Sequence, residues 1–463
     1  MLQRLSGAFL AFWLLAASFL LSGCHQPETE SMDDPTVSTA YTEDHSDGGP
    51  EGTGGDSTTN PDTLVPPVTE HADSPSGTGT TEPTGSVPDL ELPTTTEAPA
   101  IIETAPSTTA PTAAPFEEEA PVVKGIEPLS KSDYYGLRYL QTHSGAERLT
   151  AAYKRIAAGI ESADQEIPLY DGSNSITPEE LSLVYACYAA DYPQHFWTDG
   201  YTYFYDGVHV IRLCPKYTMT GSQLTEARSD LETAASAILA DINGSMSEYH
   251  RALYIHDALC AHVAYDSTQN SAYIHTAYGA LVNGLAVCDG YSKAYQYLLY
   301  KAGIQCLLVT GSSVNPSTGS PEGHAWTVAY IDGEPYHFDV TWDDQDYLSY
   351  AYFGLTTAQV EEDHIITGND YEVPVCTATQ ANYFVRSGGL LTGCDLSAVA
   401  ELLRQGGGTA RIYLAQGDVD AFLDWFIADE TGRQLAEELG IYGQFTISYS
   451  FIGREALLSL AES

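Results

Sequence analysis

Basic residues are scarce in this 463-residue chain: 18 Lys and Arg stand against 63 Asp and Glu, and none falls between Arg4 and Lys124. The formal net charge is -45 and the sequence pI is about 4.2. Nucleic acid and anionic lipid surfaces both demand basic patches, so the composition argues against them as partners. Paired cysteines are missing too. The 8 cysteines contain no Cys-x-x-Cys spacing, which removes the usual zinc and dithiol readings. Cys187, Cys214, Cys260, Cys306, Cys376 and Cys394 are well separated; they read either as disulfide partners outside the cytoplasm or as single buried apolar side chains. No internal repeat is evident, and the length after residue 129 allows two or three folded domains.

Against these absences stands a marked N-terminus. Arg4 precedes an apolar run from Leu5 to Leu21 that stops at Ser22, Gly23 and Cys24. The run is at the short end for a membrane span, and small residues directly before a cysteine suit cleavage and lipid attachment at that thiol. Residues 1–23 are therefore expected to be a lipoprotein signal peptide with Cys24 as the lipidated residue; an uncleaved anchor is the alternative. Either way the rest of the chain is expected outside the cytoplasm, anchored to the cell membrane. Residues 24–120 are rich in Thr, Pro, Ser, Gly, Asp and Glu and cannot bury enough apolar surface to offset chain entropy, so a disordered acidic stalk is expected.

Three blocks follow. Residues 129–219 show a helical pattern from Ser132 to Ala163, a second helix opening at Thr177 and Pro178, and a hairpin around Asp206-Gly207. Asp191, Pro193, Phe196 and Trp197 form an aromatic corner assigned to packing. Residues 220–370 open with a helical stretch from Leu224 to Ile242. Ser245 and Glu248 then have capping-box spacing ahead of a helix bearing Tyr249, Ala252, His256, Leu259 and Cys260. His256 and Cys260 are four apart, but without converging partners they do not make a metal site. Residues 376–463 alternate an extended run (381–386), a helix (396–404), a strand (410–414), a helix (419–439) and a strand (444–451), suggesting a small α/β unit. No nucleophile, base or phosphate-binding loop stands out there.

The chemistry concentrates in the middle block. Cys288 opens a helical pattern that runs to Gly303, where backbone N–H groups and the helix dipole favour a thiolate and are expected to lower the thiol pKa. A buried cysteine packing like alanine is the plain alternative. A strand (304–310), a Ser, Pro and Gly-rich loop (311–322) and a hairpin through Asp332-Gly333 follow. With a two-residue turn, Ile331 faces Glu334, Val328 faces His337, Trp326 faces Asp339 and His324 faces Thr341. His324 and Asp339 then share one face as diagonal neighbours within hydrogen-bond reach. The other face, with Ala325, Thr327, Ala329, Ile331, Tyr336, Phe338, Val340 and Trp342, is expected to be the core side. His337 lies on the His324 face and is a rival base.

The runs around Gly284, Val287, Cys288, Gly290 and Tyr291, then Gly323-His324-Ala325-Trp326, then Tyr336 to Asp343, resemble the transglutaminase-like superfamily in its bacterial extracellular form. Thr327 departs from the pattern, where an Asn often follows the Trp. The resemblance covers about residues 250–345. It implies an α+β fold, a papain-like core with the Cys helix packed on an antiparallel sheet. Position by position it implies Cys288 as nucleophile, His324 as base and Asp339 as the third member. Tyr265 and Asp266 resemble a family pair without an assigned role. The expected reaction is acyl transfer through a thioester on a protein or peptide substrate, with cell-wall peptides among the candidates; water makes it a hydrolase and an amine a transamidase. The backbone N–H of Cys288 is the expected oxyanion donor. No metal or organic cofactor is required. The competing class is a non-catalytic surface module that binds wall peptides or proteins.

Overall fold

The computed structural model describes residues 123–172, 175–314, 321–345 and 347–462. Arg4, the apolar run, Cys24 and the stalk lie outside the described residues. Among the described residues no helix is long and apolar enough to cross a membrane.

The first block is built from α1 (Tyr135–Leu140), α2 (Ala146–Glu161), β1 (Ile167–Pro168), α3 (Pro178–Asp191), β2 (Thr198–Tyr205) and β3 (Val210–Tyr217). The single helix expected over 132–163 is broken between Leu140 and Ala146, where Gly145 adopts a φ of 80° and restarts the helix. Thr177 and Glu180 close a capping box on α3, with Pro178 in its first turn. At the far end of α3 the buried Asp191 accepts from the backbone N–H of Gly136 and Leu137 and from Tyr153, so it caps the start of α1. The hairpin is present, but Tyr205 pairs with Val210, giving a four-residue connection over Asp206 to His209.

The second block runs α4 (Gly221–Ile238), α5 (Glu248–His262), β4 (Ala264–Tyr265), β5 (Leu285–Ala286), α6 (Cys288–Lys301), β6 (Cys306–Val314), β7 (Pro321–Ile331), β8 (Glu334–Phe338), α7 (Val340–Asp343), β9 (Phe353–Leu355) and β10 (His364–Ile366). The cap of α5 is Ser247, which accepts from His250 N–H; the expected Ser245 instead donates to Asn243 in the preceding turn. An antiparallel sheet in the order β10-β6-β7-β8-β9 forms the floor. Of the Gly-rich segment expected as a loop over 311–322, residues 311–314 and 321–322 are strand, because β6 extends to Val314 and β7 begins at Pro321, and 315–320 lie outside the described residues.

Helix α6 is central and buried on nearly all sides. Tyr295 Oη donates to Ala252 O on α5, Gln296 Nε2 donates to Ala190 O on α3, and Ser292 Oγ lies 3.0 Å from Ala325 O on β7. Each large apolar side chain it buries contributes roughly 1.5–3 kcal/mol. One apolar core consequently runs from Val123 to Phe384.

A second core lies within 391–460. There α8 (Tyr383–Ser387), β11 (Leu390–Leu391), α9 (Leu396–Gln405), β12 (Thr409–Leu414), α10 (Val419–Ile427), α11 (Asp429–Glu438), β13 (Phe445–Ile452) and β14 (Glu455–Glu462) make a four-stranded sheet in the order β11-β12-β14-β13. The extended run expected at 381–386 is helical, because Asn382 caps it through Phe384 N–H and Val385 N–H. The helix expected over 419–439 divides at Ala428, whose ψ of 138° is extended. Strand β14 was not anticipated. Its Glu455, fully buried, accepts from Ser349 Oγ at 2.7 Å and Tyr350 N–H at 2.9 Å and pairs with Arg411.

Candidate active site

Cys288 is the first residue of α6, with Val287 as its N-cap. Two contacts set that first turn. Val287 N–H donates to Ile274 O at 3.1 Å, and the turn packs so closely there that a Cβ on Gly290 would fall 2.1 Å from the same oxygen. Ser292 Oγ lies 2.8 Å from Cys288 O and 3.0 Å from Ala325 O, which pins the turn to β7 at the neighbour of His324. Cys288 packs against Leu308 and Ala325.

The expected hairpin register holds where the ladder exists: Ile331 pairs with Glu334 and Val328 with His337. It ends at Thr327 and Phe338, so the expected pairings of Trp326 with Asp339 and His324 with Thr341 do not occur. The chain leaves the sheet because the Asp339 carboxylate caps α7, with Oδ1 accepting from Thr341 N–H at 3.0 Å and Trp342 N–H at 3.1 Å. His324 Nε2 nevertheless lies 2.5 Å from Asp339 Oδ2, and both side chains are buried. That engagement leaves Nδ1 as the ring nitrogen not held by Asp339.

The division into a core face and a site face does not hold. Both faces are covered, since Trp326, Val328 and His337 are buried along with Ala325, Thr327 and Ala329. Trp342, expected in the core, packs instead beside His324 and His364, with ring centroids 5.7 and 4.6 Å away. His337, the rival base, accepts from Trp326 Nε1 at 3.0 Å and lies 3.1 Å from Thr357 Oγ1. Burial, reinforced by the charge of His364, depresses it to about 3, where it is a poor proton acceptor.

Sequence reasoning missed His364. It arrives on β10, opposite Ser313 of β6, and places Nε2 3.1 Å from Asp339 Oδ2 and Nδ1 2.5 Å from Asp363 Oδ1. The nearby approach of β10 is permitted by Gly311, where a Cβ would sit 2.0 Å from Ile365 O. The only signal in the chain was a His after an Asp at the head of a short β-branched run. His324, Asp339 and His364 offer atoms within 4.8 Å of one another, a closeness their hydrogen bonds already account for.

The electrostatics differ from the sequence expectation in one respect. Burial, with the neighbouring Asp289 and Asp339 charges, pushes the Cys288 thiol up to about 12, although backbone groups of Ala325 and Asp289 act in the opposite direction. Desolvation outweighs the helix terminus, and the resting group is a thiol. For Asp339, burial alone would raise the pKa, but the charge and hydrogen bonds of His324 and His364 hold the carboxyl well below its usual range. Asp289 is lowered to about 2 against its burial by Lys293 and His275, at 3.0 and 2.8 Å.

Other residues singled out in the sequence have different tasks. His256 bonds Asp257 and Asp343, while Cys260 is directed at Val340 O, so the two do not converge. Asp266 ties a turn through Thr268 and Ser271, and Tyr265 stacks on Tyr291. The seven cysteines among the described residues are all free thiols. A surface cavity of about 310 Å³ bounded by Thr357, Glu361, Ile366 and Tyr371 includes none of Cys288, His324 or Asp339.

Residues 236–340 match the model of the transglutaminase-like superfamily. The chain is 28% identical over 141 residues to the kyphoscoliosis peptidase of Mus musculus, covering 28% of this chain and 21% of that protein. It is 29% identical over 136 residues to the kyphoscoliosis peptidase of Homo sapiens, covering 27% and 20%. The match thus spans about a fifth of these relatives' own length. Among solved structures, a TGase is similar at 14% identity and a TM-score of 0.22, over 31% of this chain and 44% of that one. A candidate cysteine protease from Cytophaga hutchinsonii is similar at 18% identity and a TM-score of 0.23, over 36% and 65%. At these scores neither structure bears on the chemistry.

Proposed function

We propose, from the transglutaminase-like domain that residues 236–340 match, that this protein is a cysteine acyl-transfer enzyme acting on peptide or glutamine carboxamide bonds. Cys288 is the nucleophile, His324 the general base and then acid, and Asp339 the group that orients His324. The observation that carries the reading is the 2.5 Å contact of His324 with Asp339, beside a strand residue to which the Cys288 turn is pinned by Ser292.

A thiol raised to about 12 cannot act as a free thiolate at neutral pH. The proton therefore passes from Sγ to His324 as sulfur attacks the carbonyl carbon, and Asp339 stabilises the resulting imidazolium. The C–N bond breaks as His324 returns that proton to the leaving nitrogen, giving a thioester and an amine. Water or a second amine, deprotonated by His324, then attacks the thioester; Cys288 is released as the thiol, and the product is an acid or a new amide. On this reading the enzyme is held at the cell surface by a lipid on Cys24 and set away from the membrane by the acidic segment 24–120, with wall peptides or proteins within its reach.

The burial of Cys288 and its raised thiol favour a second reading, a module that binds such peptides without turnover. Incubating the full chain with muropeptides, casein and a fluorescent amine separates the two. Cleavage or amine incorporation that disappears in Cys288→Ala supports the enzyme; binding without product in either protein supports the module.

A further inference from the structure

The reaction just described uses His324 and Asp339 and gives no task to the third buried group of the cluster, His364. Its ring is hydrogen-bonded at both nitrogens, and both partners are carboxylates: Asp339 Oδ2 at 3.1 Å and Asp363 Oδ1 at 2.5 Å. A neutral imidazole has one donor and one lone pair, so one of these contacts would set lone pair against lone pair; only the imidazolium donates twice. The other titratable groups facing it are His324, with ring centroids 5.2 Å apart, His337, and Tyr352, whose hydroxyl donates to Asp363. The rings of Trp326 and Trp342 pack against it, and Ser313 faces it across the sheet. The surroundings thus hold two carboxylates in direct contact with the ring, in a site that is nearly closed to water.

We infer that His364 is a cationic positioning residue for the reaction: it fixes the Asp339 carboxylate and shares its charge, so that Asp339 orients His324 without locking a proton onto it. Two imidazoles on one carboxylate oxygen divide a single negative charge. With His364 absent, that charge would act on His324 alone, and the base would hold its proton to higher pH. Burial by itself would depress His364, but the hydrogen bonds to Asp339 and Asp363 overcome it and raise it to about 9, which agrees with the geometric argument.

The inference rests on the reading of Cys288, His324 and Asp339 as the reacting group, and its test separates the two. In the full chain, alkylation of Cys288 by iodoacetamide is followed on its own peptide by mass spectrometry across pH, for the native protein and for His364→Gln, which retains an N–H donor without the charge. The acid limb of the native profile should move upward by about one pH unit in His364→Gln, and hydrogen exchange at the His364 ring carbon in the native protein should show its proton retained above neutral pH. A folded His364→Gln with an unmoved limb overturns the inference alone, since a merely structural role lowers the folded fraction and leaves the limb in place. So does native His364 that loses its proton in the ordinary imidazole range, which decides the matter even if the variant does not fold. A native Cys288 that reacts no faster than the exposed Cys394 at any pH sinks the enzyme reading, and this inference with it.

Discussion

At the two ends of the short helix α7, Asp339 and Asp343 each meet a buried imidazole, and the two clusters are built alike. Asp339 contacts His364, which contacts Asp363, which accepts from Tyr352 Oη at 2.6 Å. Asp343 contacts His256, which contacts Asp257, which accepts from Tyr350 Oη at 3.2 Å. Both central imidazoles are raised to about 9 by the flanking carboxylates against their burial. The clusters differ in what occupies the remaining valence of the helix carboxylate. Both accept backbone N–H groups, Asp343 from Tyr352 and Asp339 from Thr341 and Trp342, but Asp339 alone takes a second imidazole, His324, on the oxygen that already meets His364. Perturbed ionisation is common to both; only one holds a second imidazole. On the proposed function, one cluster carries chemistry and the other holds the loop behind it.

The sharpest way to test that contrast is to make the same change at both ends. Asp339→Asn keeps a good N-cap for α7 but breaks a buried pair and offers His324 an altered partner, so it should cost on the order of 3 kcal/mol of stability and turnover per folded molecule should fall by about 10³ to 10⁴. Asp343→Asn should cost a similar amount, on the order of 3 kcal/mol of stability, read by denaturant unfolding, while turnover per folded molecule is unchanged. Equal losses of turnover in the two variants would erase the distinction. A milder probe is pH. His256 and His364 bind their protons more tightly folded than unfolded, so their stabilisation is complete below about 6.5 and is lost as pH rises toward about 9. The thermal midpoint should fall across that window, and less steeply in His256→Gln; an unchanged slope would mean His256 is not the cation of its cluster. The smallest effect is expected at Asp257, whose side chain is 39% exposed and screened by water, so Asp257→Asn should cost less than about 1 kcal/mol.

Much of this site was legible from the chain because its parts are local. The Asp332-Gly333 turn and the period-two alternation set the β7–β8 register, and a Gly stop dated the end of α6 correctly. The departure of the chain at Asp339 was hidden by the residues after it, since Val340, Thr341 and Trp342 favour a strand while a single carboxylate bonding two N–H groups turns them into a helix. His364 was out of reach for another reason: it is placed by pairing with a strand some fifty residues earlier, and a three-residue run carries no register signal of its own. The thiol was misjudged because a helix start is visible in a sequence and the depth of its burial is not. In the last block, the break at Ala428 and the strand β14 follow from packing on a sheet whose order is not written locally.

Glu455 has a consequence for how the half of the molecule that holds Cys288 and His324 can be handled. It sits inside the second core's sheet yet holds Ser349 and Tyr350, in the stretch of chain whose Tyr352 O receives the N–H of Asp339. Trimming the polypeptide ahead of β11 would strip those two donors of their acceptor and let that stretch sag beneath the carboxylate. The tail, with no reactive group identified in it, thus behaves as a buttress, and on the proposed function a shortened chain falls silent with its thiol and imidazole both intact.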